Sequence, residues 1–274
     1  MDKMLSVAEA ISRVEEEFPF PGLFSRRRQS VEQVVRTVRR FAKPSTRILD
    51  FGAGSCDKVS VLQTLGYQCS ACDDLNDPWH RQAGVADKIK HFAKKLGIDY
   101  VLVEGGELPF EPETFDIVMM HDVIEHLHDS PREIVLRLVN LVKPNGLIFV
   151  TVPNAVNIKK RIRVLSGRTN YPPYDQFYWW PGAWRGHVRE YVLDDLRQLA
   201  LYQGLELVDL RGCHHMTNCL PALTRFLYSL ATSVFPNWRD SLSLVARKPR
   251  NWEPVAASKS HESGVDWVPY QKSE

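Results

Sequence analysis

Arg47-Ile48-Leu49-Asp50-Phe51-Gly52-Ala53-Gly54-Ser55-Cys56 is the stretch that decides how this chain reads. Ile48 and Leu49 form a short apolar run that ends at Asp50, and two glycines follow at 52 and 54. Glycine has no Cβ, so a strand ending in such a turn lets a ligand approach the backbone closely. Lys58–Gly66 then carries apolar residues at helical spacing and closes on a glycine. Strand, glycine turn and helix form the opening unit of a nucleotide-binding α/β sheet. The turn reads G-x-G-x-C, not the G-x-G-x-x-G of a dinucleotide site. Taken alone it is more readily a plain tight turn than a cofactor loop.

Size and composition narrow the field. The 274 residues suffice for one large α/β domain with appendages. Charged residues at 25% and hydrophobic residues at 44% fit a water-exposed globular chain. A net charge of +2 argues for neither a nucleic acid nor a membrane partner by itself. Basic residues are nevertheless clustered: Arg26–Arg28 with Arg36, Arg39, Arg40 and Lys43, and again Lys159, Lys160, Arg161, Arg163 and Arg168. Solvated helix faces account for such runs, as does an anionic partner. Cysteines 56, 69, 72, 213 and 219 lack zinc-ribbon spacing and read as reduced thiols of a cytoplasmic protein. No signal-peptide pattern opens the chain. The apolar segment 219–238 contains Arg225, Pro221 and Pro236, which suits a helix lying on a surface better than a membrane span.

Outward from the glycine turn, strands and helices alternate. Residues 1–45 are expected to form a helical cap, since Val31, Val34, Val35, Val38 and Phe41 share one helix face. Strands are expected at 47–51, 67–72, 99–103, 115–120, 147–152, 205–211 and 241–247. Helices are expected from about 77 to 96, from Ser130-Pro131 onward, and at 192–203, and Lys143-Pro144-Asn145-Gly146 reads as a turn. The α/β domain so outlined spans 46–248, with an irregular aromatic insert at 153–188 and the apolar helical segment 219–238. A disordered tail is expected over 249–274. The fold class that follows is α/β: a Rossmann-like, mostly parallel sheet with helices on both faces.

In such sheets ligands bind beyond the carboxyl ends of the strands. Acidic residues recur there: Asp50, Asp73 and Asp74, Glu104, and His121-Asp122-Val-Ile-Glu125-His126. An acid 23 residues past Asp50 is placed to accept ribose hydroxyls. Asp50 at a strand tip would repel a pyrophosphate but suits a sulfonium and an α-ammonium.

ILDFGAG, CDDL, ELPFEPETFDIV, DVIEHL, LVKPNGLIFVTVPN and HVREYVLDDL together resemble the class I S-adenosylmethionine-dependent methyltransferases. The resemblance covers residues 45–155 and, more loosely, 187–247. It implies a seven-stranded sheet whose last strand is antiparallel. It further implies that Asp50, Gly52 and Gly54 flank the methionine moiety, that Asp73 holds the ribose, and that Glu104 and Gly105 contact adenine. His121, at the end of its strand, joins the cofactor-binding set. Cys56 departs from the pattern, which commonly has a third glycine there.

Methyl transfer to a hydroxyl needs a base or a bound cation. His121, His126, His128 and His187 are candidates, with His126 and His187 the expected catalytic pair. If a helix begins near 122, Asp122, Glu125 and His126 share a face, a donor set suited to Mg²⁺ or Mn²⁺. That segment is similar to the E-x-x-E-H metal motif of small-RNA 3′-end 2′-O-methyltransferases, in which a later histidine, here matched by His187, completes the set. Asp122 and Glu125 as a capping box is the structural alternative. The insert at 170–184 holds three of the seven tryptophans and suits recognition of a sugar, base or lipid interface, or a proline-braced mini-core.

The expected enzyme is thus a methyltransferase directed to oxygen on a sugar, glycolipid or natural-product hydroxyl, with an acceptor that the flanking arginines suit if it is anionic. A cation-dependent RNA 2′-O-methyltransferase and a non-catalytic cofactor-binding module are the rivals, with nucleic acid disfavoured by the low net charge. Peripheral membrane contact is compatible with the apolar segment.

Overall fold

The computed structural model describes residues 5–103 and 108–255. Expectations for Glu104 and Gly105, and for the tail beyond 255, fall outside the described residues.

In chain order the elements are α1 (Val7–Glu17), α2 (Pro21–Phe41), β1 (Arg47–Phe51), α3 (Asp57–Thr64), β2 (Gln68–Asp73), α4 (Val85–Lys95), β3 (Asp99–Leu102), β4 (Phe115–His121), α5 (Arg132–Leu141), β5 (Val142–Pro153), α6 (Ile158–Leu165), α7 (Tyr174–Tyr178), α8 (Leu193–Tyr202), β6 (Glu206–Cys213), α9 (Ala222–Val234) and β7 (Ser241–Arg247). The sheet has seven strands in the order β3-β2-β1-β4-β5-β7-β6. β1 pairs in parallel with β2 and β4, while β7 runs antiparallel between β5 and β6. The chain leaves β1 toward β2 and later returns to β4 on the other side. That reversal opens the crevice where α/β sheets bind ligands.

The strands read as continuous apolar runs because both faces of the sheet are covered. Ile48, Ile117, Met119, Leu147 and Phe149 face one layer, together with α1, α2, α3 and α4. Leu49, Val118, Met120, Ile148 and Val150 face the other, with α5 and α8. Alternate residues of each strand thus belong to opposite cores, as period-two geometry requires. Val31, Val34, Val35 and Val38 of α2 are fully buried in the first layer, the face expected from their spacing. Arg27 of the same helix reaches Asp57 at 3.6 Å, and Arg40 reaches Asp209 at 3.1 Å. Much of that basic run is therefore committed to internal ion pairs.

Four expectations are corrected. The helix expected from 77 starts only at Val85, because Pro78 and a left-handed Gly84 (φ +76°) interrupt it. Lys143–Gly146 lies within β5, where Asn145 takes the left-handed backbone (φ +64°) and the register with β4 shifts. The insert is not wholly irregular, since it contains α6 and α7. The first part of the tail is fixed: Trp252 Nε1 donates to the Gln203 carbonyl at 2.7 Å, and Lys248 lies over its ring.

Candidate active site

The glycine turn carries the backbone strain the sequence implies. Gly52 (φ +73°) and Gly54 (φ +50°) are both left-handed, and a Cβ on Gly52 would fall 2.4 Å from Val123 Cγ2. Cys56 also takes the left-handed region at φ +63°, directly before α3. The third position therefore keeps a conformation suited to glycine while carrying a side chain, at a cost of roughly 1–2 kcal/mol. Its thiol is fully buried.

Asp73, at the end of β2, closes on this turn. The Gly54 N–H donates to Asp73 Oδ2 at 2.8 Å, and the Leu75 N–H to Oδ1 at 2.7 Å. Burial raises the Asp73 carboxyl, against the pull of those two donors. Each oxygen retains a lone pair for a further donor. Next to it lies a cavity of about 360 Å³, lined by Asp74, Leu75, His80, Gly84 and Leu102 among others. That volume admits a nucleoside. Tyr100 donates from its hydroxyl to the Gly54 carbonyl at 3.2 Å.

Asp50 is only 2% exposed, and burial pushes its carboxyl up to about 7, against the pull of Lys58. Asp57 shares that burial, yet Lys58 and Arg27 hold its carboxyl below the usual range. His121 ends β4, with Nδ1 at 2.9 Å from Thr151 Oγ1. Burial drives its imidazolium well down, so the ring is neutral. Its Nε2 is buried without a partner among the described residues, as is Ser55 Oγ.

The segment after β4 differs from its expected form. No α-helix starts near 122. Asp122 is left-handed (φ +57°), and Ile124–His126 make a single 3₁₀ turn. The i, i+3, i+4 face is thereby lost, as is the proposed capping box. Asp122 Oδ2 instead lies 3.7 Å from His215 Nε2. Glu125, His126 and His187 nevertheless converge, with one donor atom of each within 4.8 Å of the others. Tertiary contact achieves what helical periodicity does not. Glu125 is fully buried, and both of its carboxylate oxygens lack a partner among the described residues. Burial, and then the neighbouring Asp122, push its carboxyl well above the usual range.

The two imidazoles are oriented from behind. His126 Nδ1 lies 2.8 Å from the Arg185 carbonyl, which only accepts, so Nδ1 carries the proton. His187 Nδ1 lies 2.9 Å from Glu190 Oε1, and Lys160 pairs with the other oxygen. Burial raises Glu190, but the bonds from His187 and Lys160 outweigh it and hold the carboxyl low. Nε2 of each ring is left with its lone pair free to accept a proton or ligate a cation. Backbone bonds seat the insert: the Val188 N–H donates to the Glu125 carbonyl at 2.7 Å, and His128 Nε2 lies 2.6 Å from the Trp184 carbonyl. Arg185 spans back toward the end of β2, 3.6 Å from Asp74 and 3.3 Å from Asp77.

Glu190, Lys160, Arg185, Lys58 and His215 were not singled out for these roles from sequence. Only H-V-R-E-Y, as a block, carried a signal for Glu190. His215 follows β6 in a loop with no motif of its own. Its placement depends on Asp240, which accepts from the His215 and Met216 N–H groups.

Comparison with known proteins agrees with this architecture. A family model described as a methyltransferase domain matches residues 24–210. The chain is 26% identical over 192 residues to the ubiquinone biosynthesis O-methyltransferase of Burkholderia thailandensis, spanning 70% of this chain and 76% of that protein. It is 25% identical over 166 residues to the protein of the same name from Rhizobium leguminosarum, 61% of each. Among solved structures, the complex with the Haloferax volcanii Trm112 methyltransferase activator contains a chain that superposes with a TM-score of 0.60 at 14% identity, covering 87% of this chain and 97% of that one. The [4+2]-cyclase SpnF superposes at 0.53 and 16% identity, covering 80% of each. Structural likeness at these identities shows the fold, and the cyclase illustrates that one fold hosts more than one reaction.

Proposed function

Since the chain belongs to the class I S-adenosylmethionine-dependent methyltransferases, we propose that it methylates a hydroxyl oxygen of a small acceptor held between the glycine turn and the aromatic loop 171–184. The observation that carries the oxygen reading is the convergence of Glu125, His126 and His187. A sulfonium leaves without help, whereas a hydroxyl must lose its proton or have it loosened. The similar proteins named O-methyltransferases support the same acceptor atom.

The residues present fit both implied groups. S-adenosylmethionine, when bound, supplies an electrophilic methyl on a sulfonium. Asp73 offers lone pairs to ribose hydroxyls, and the glycine turn allows close approach. Asp50 places a carboxylate where a cationic methionine end needs one, and His121 Nε2 and Ser55 Oγ are open partners at the same strand ends. Glu125, His126 and His187 would hold a divalent cation, which lowers the pKa of a bound hydroxyl. Two imidazoles backed by an acceptor and one buried carboxylate are a suitable donor set. His187 also serves as a base if no cation is used, and the His215–Asp122 pair is a second acid–base candidate.

The acceptor class is a sugar, glycolipid or other natural-product hydroxyl. Exposed Tyr171, Tyr174, Phe177 and Trp179 beside the site support a flat or ring-bearing acceptor. Five free cysteines suit a reducing, cytoplasmic setting. The test is transfer of labelled methyl to hydroxyl acceptors and their amine analogues. Transfer confined to amines overturns the oxygen reading. The same donor set also fits cation-dependent 2′-O-methylation of RNA, and chelator-sensitive labelling of RNA 3′ ends would move the assignment there.

A further inference from the structure

α9 is an amphipathic helix turned inside out. Its buried residues are Tyr228 and Thr232, and the Tyr228 hydroxyl bonds to Asp240 at 3.1 Å. Its apolar residues Leu223, Phe226, Leu227, Leu230 and Val234 share the opposite face and are 55–71% exposed. A helix that seats its polar side on the protein leaves its apolar stripe for another partner.

α6 continues this surface. Among its residues none is buried, and Ile162 and Leu165 are 60% and 87% exposed. Ile158, Ile162 and Leu165 line one face, with Lys159 and Arg163 flanking it. The two helices border one another through a chain of contacts: Arg161 lies 5.7 Å from the Trp238 ring centroid, and Trp238 stacks on Phe235 at 4.2 Å.

We infer that this α6–α9 face docks on an anionic lipid bilayer. Charge complementarity selects that occupant. Between residues 158 and 182 Lys160 is paired with Glu190, and Lys159, Arg161, Arg163 and Arg168 stand against the single acid Asp175. A two-fold dimer would set this basic rim against itself. A nucleic acid would leave the aliphatic stripe of Leu223, Leu227 and Leu230 unused, since bases stack on aromatic rings. An apolar face with a cationic flank and amphipathic aromatics is the composition that lies in a bilayer interface. None of the described helices is long and apolar enough to cross a membrane, so the contact is peripheral.

The test is sedimentation of the full chain with vesicles of phosphatidylcholine alone and of equimolar phosphatidylcholine and phosphatidylglycerol. Sedimentation with the anionic vesicles is expected, falling at high salt. The triple variant Leu223→Ser, Phe226→Ser, Leu230→Ser should weaken it at least about tenfold. Lys159→Glu with Arg163→Glu should weaken it by about fivefold or more per charge. Both variants alter exposed positions, and unchanged circular dichroism would show that they fold. Absence of binding to either vesicle overturns the inference, as does binding indifferent to both variants. A stable dimer in light scattering that the triple variant splits, with no lipid binding, assigns the face to a second copy instead.

Discussion

His187 Nδ1 stands 2.9 Å from Glu190 Oε1, and this pair fixes which nitrogen of the ring is free. Glu190 is held ionised by His187 and Lys160, so it can only accept. The proton therefore sits on Nδ1, and Nε2 is the atom available to the Glu125–His126–His187 cluster. Glu190→Gln can donate from its amide and so stabilise the other tautomer. Turnover and Mn²⁺ affinity should each fall roughly 10–100-fold, while affinity for S-adenosylhomocysteine stays constant. Equal turnover in the variant would remove Glu190 from the site's chemistry.

Glu125 has the opposite electrostatic setting. Burial and Asp122 keep its carboxyl protonated well above the usual range. A cation must displace that proton, so Mn²⁺ affinity should rise with pH and binding should release protons. Titration calorimetry in buffers of different ionisation enthalpy measures the release. Glu125→Gln should abolish the release and weaken Mn²⁺ binding. Proton-neutral binding in the parent protein would mean that Glu125 is not a ligand.

Asp50 titrates near neutrality, at about 7, chiefly because it is buried. Below that pH the carboxyl is neutral and offers little to a cationic ligand. Affinity for S-adenosylmethionine should therefore rise between about pH 6 and 8, and Asp50→Asn should flatten the curve. Stability of the ligand-free protein runs the other way. The folded state holds a proton that the unfolded state has lost between about pH 4 and 7, so this group's contribution declines as pH rises through that window. Asp50→Asn should accordingly raise Tm at pH 8 more than at pH 4, as a thermal melt at both pH values would report.

Gly52→Ala should destabilise the fold. The left-handed backbone costs roughly 1–2 kcal/mol for a residue with a Cβ, and the new atom would sit 2.4 Å from Val123 Cγ2. Overpacking adds about 1–3 kcal/mol. Val123→Ala in the same chain should restore the second part and leave the first, which a denaturation double-mutant cycle separates. A Gly52→Ala protein as stable as its parent would refute the turn geometry.

The site was unevenly legible. Asp50, Gly52, Gly54 and Asp73 come from neighbouring strand ends, and the regular strand–turn–helix pattern places them together in sequence reasoning. Glu125 and His126 were foreseen together on a helical spacing that the 3₁₀ turn at Ile124–His126 does not provide, and His187 joined them only through the resemblance to the small-RNA methyltransferase metal motif. Their meeting depends on backbone bonds that seat residues 185–189 against 125–128, contacts of long sequence separation that no local pattern encodes. Asp122 was expected in that group and instead faces His215, because a left-handed residue turns its side chain away from the turn that follows.

By itself the sequence determined the doubly covered sheet, since buried parallel strands must be continuously apolar and helices must show a periodic face. It also determined the glycine turn, because left-handed backbone at two positions favours residues without a Cβ. Only the tertiary structure decided which histidine nitrogens are free, that the Glu125 carboxylate has no partner among the described residues, and that α9 turns its apolar stripe outward. Those outcomes depend on what stands opposite each group, and burial and partnership across a fold are properties of the packed chain.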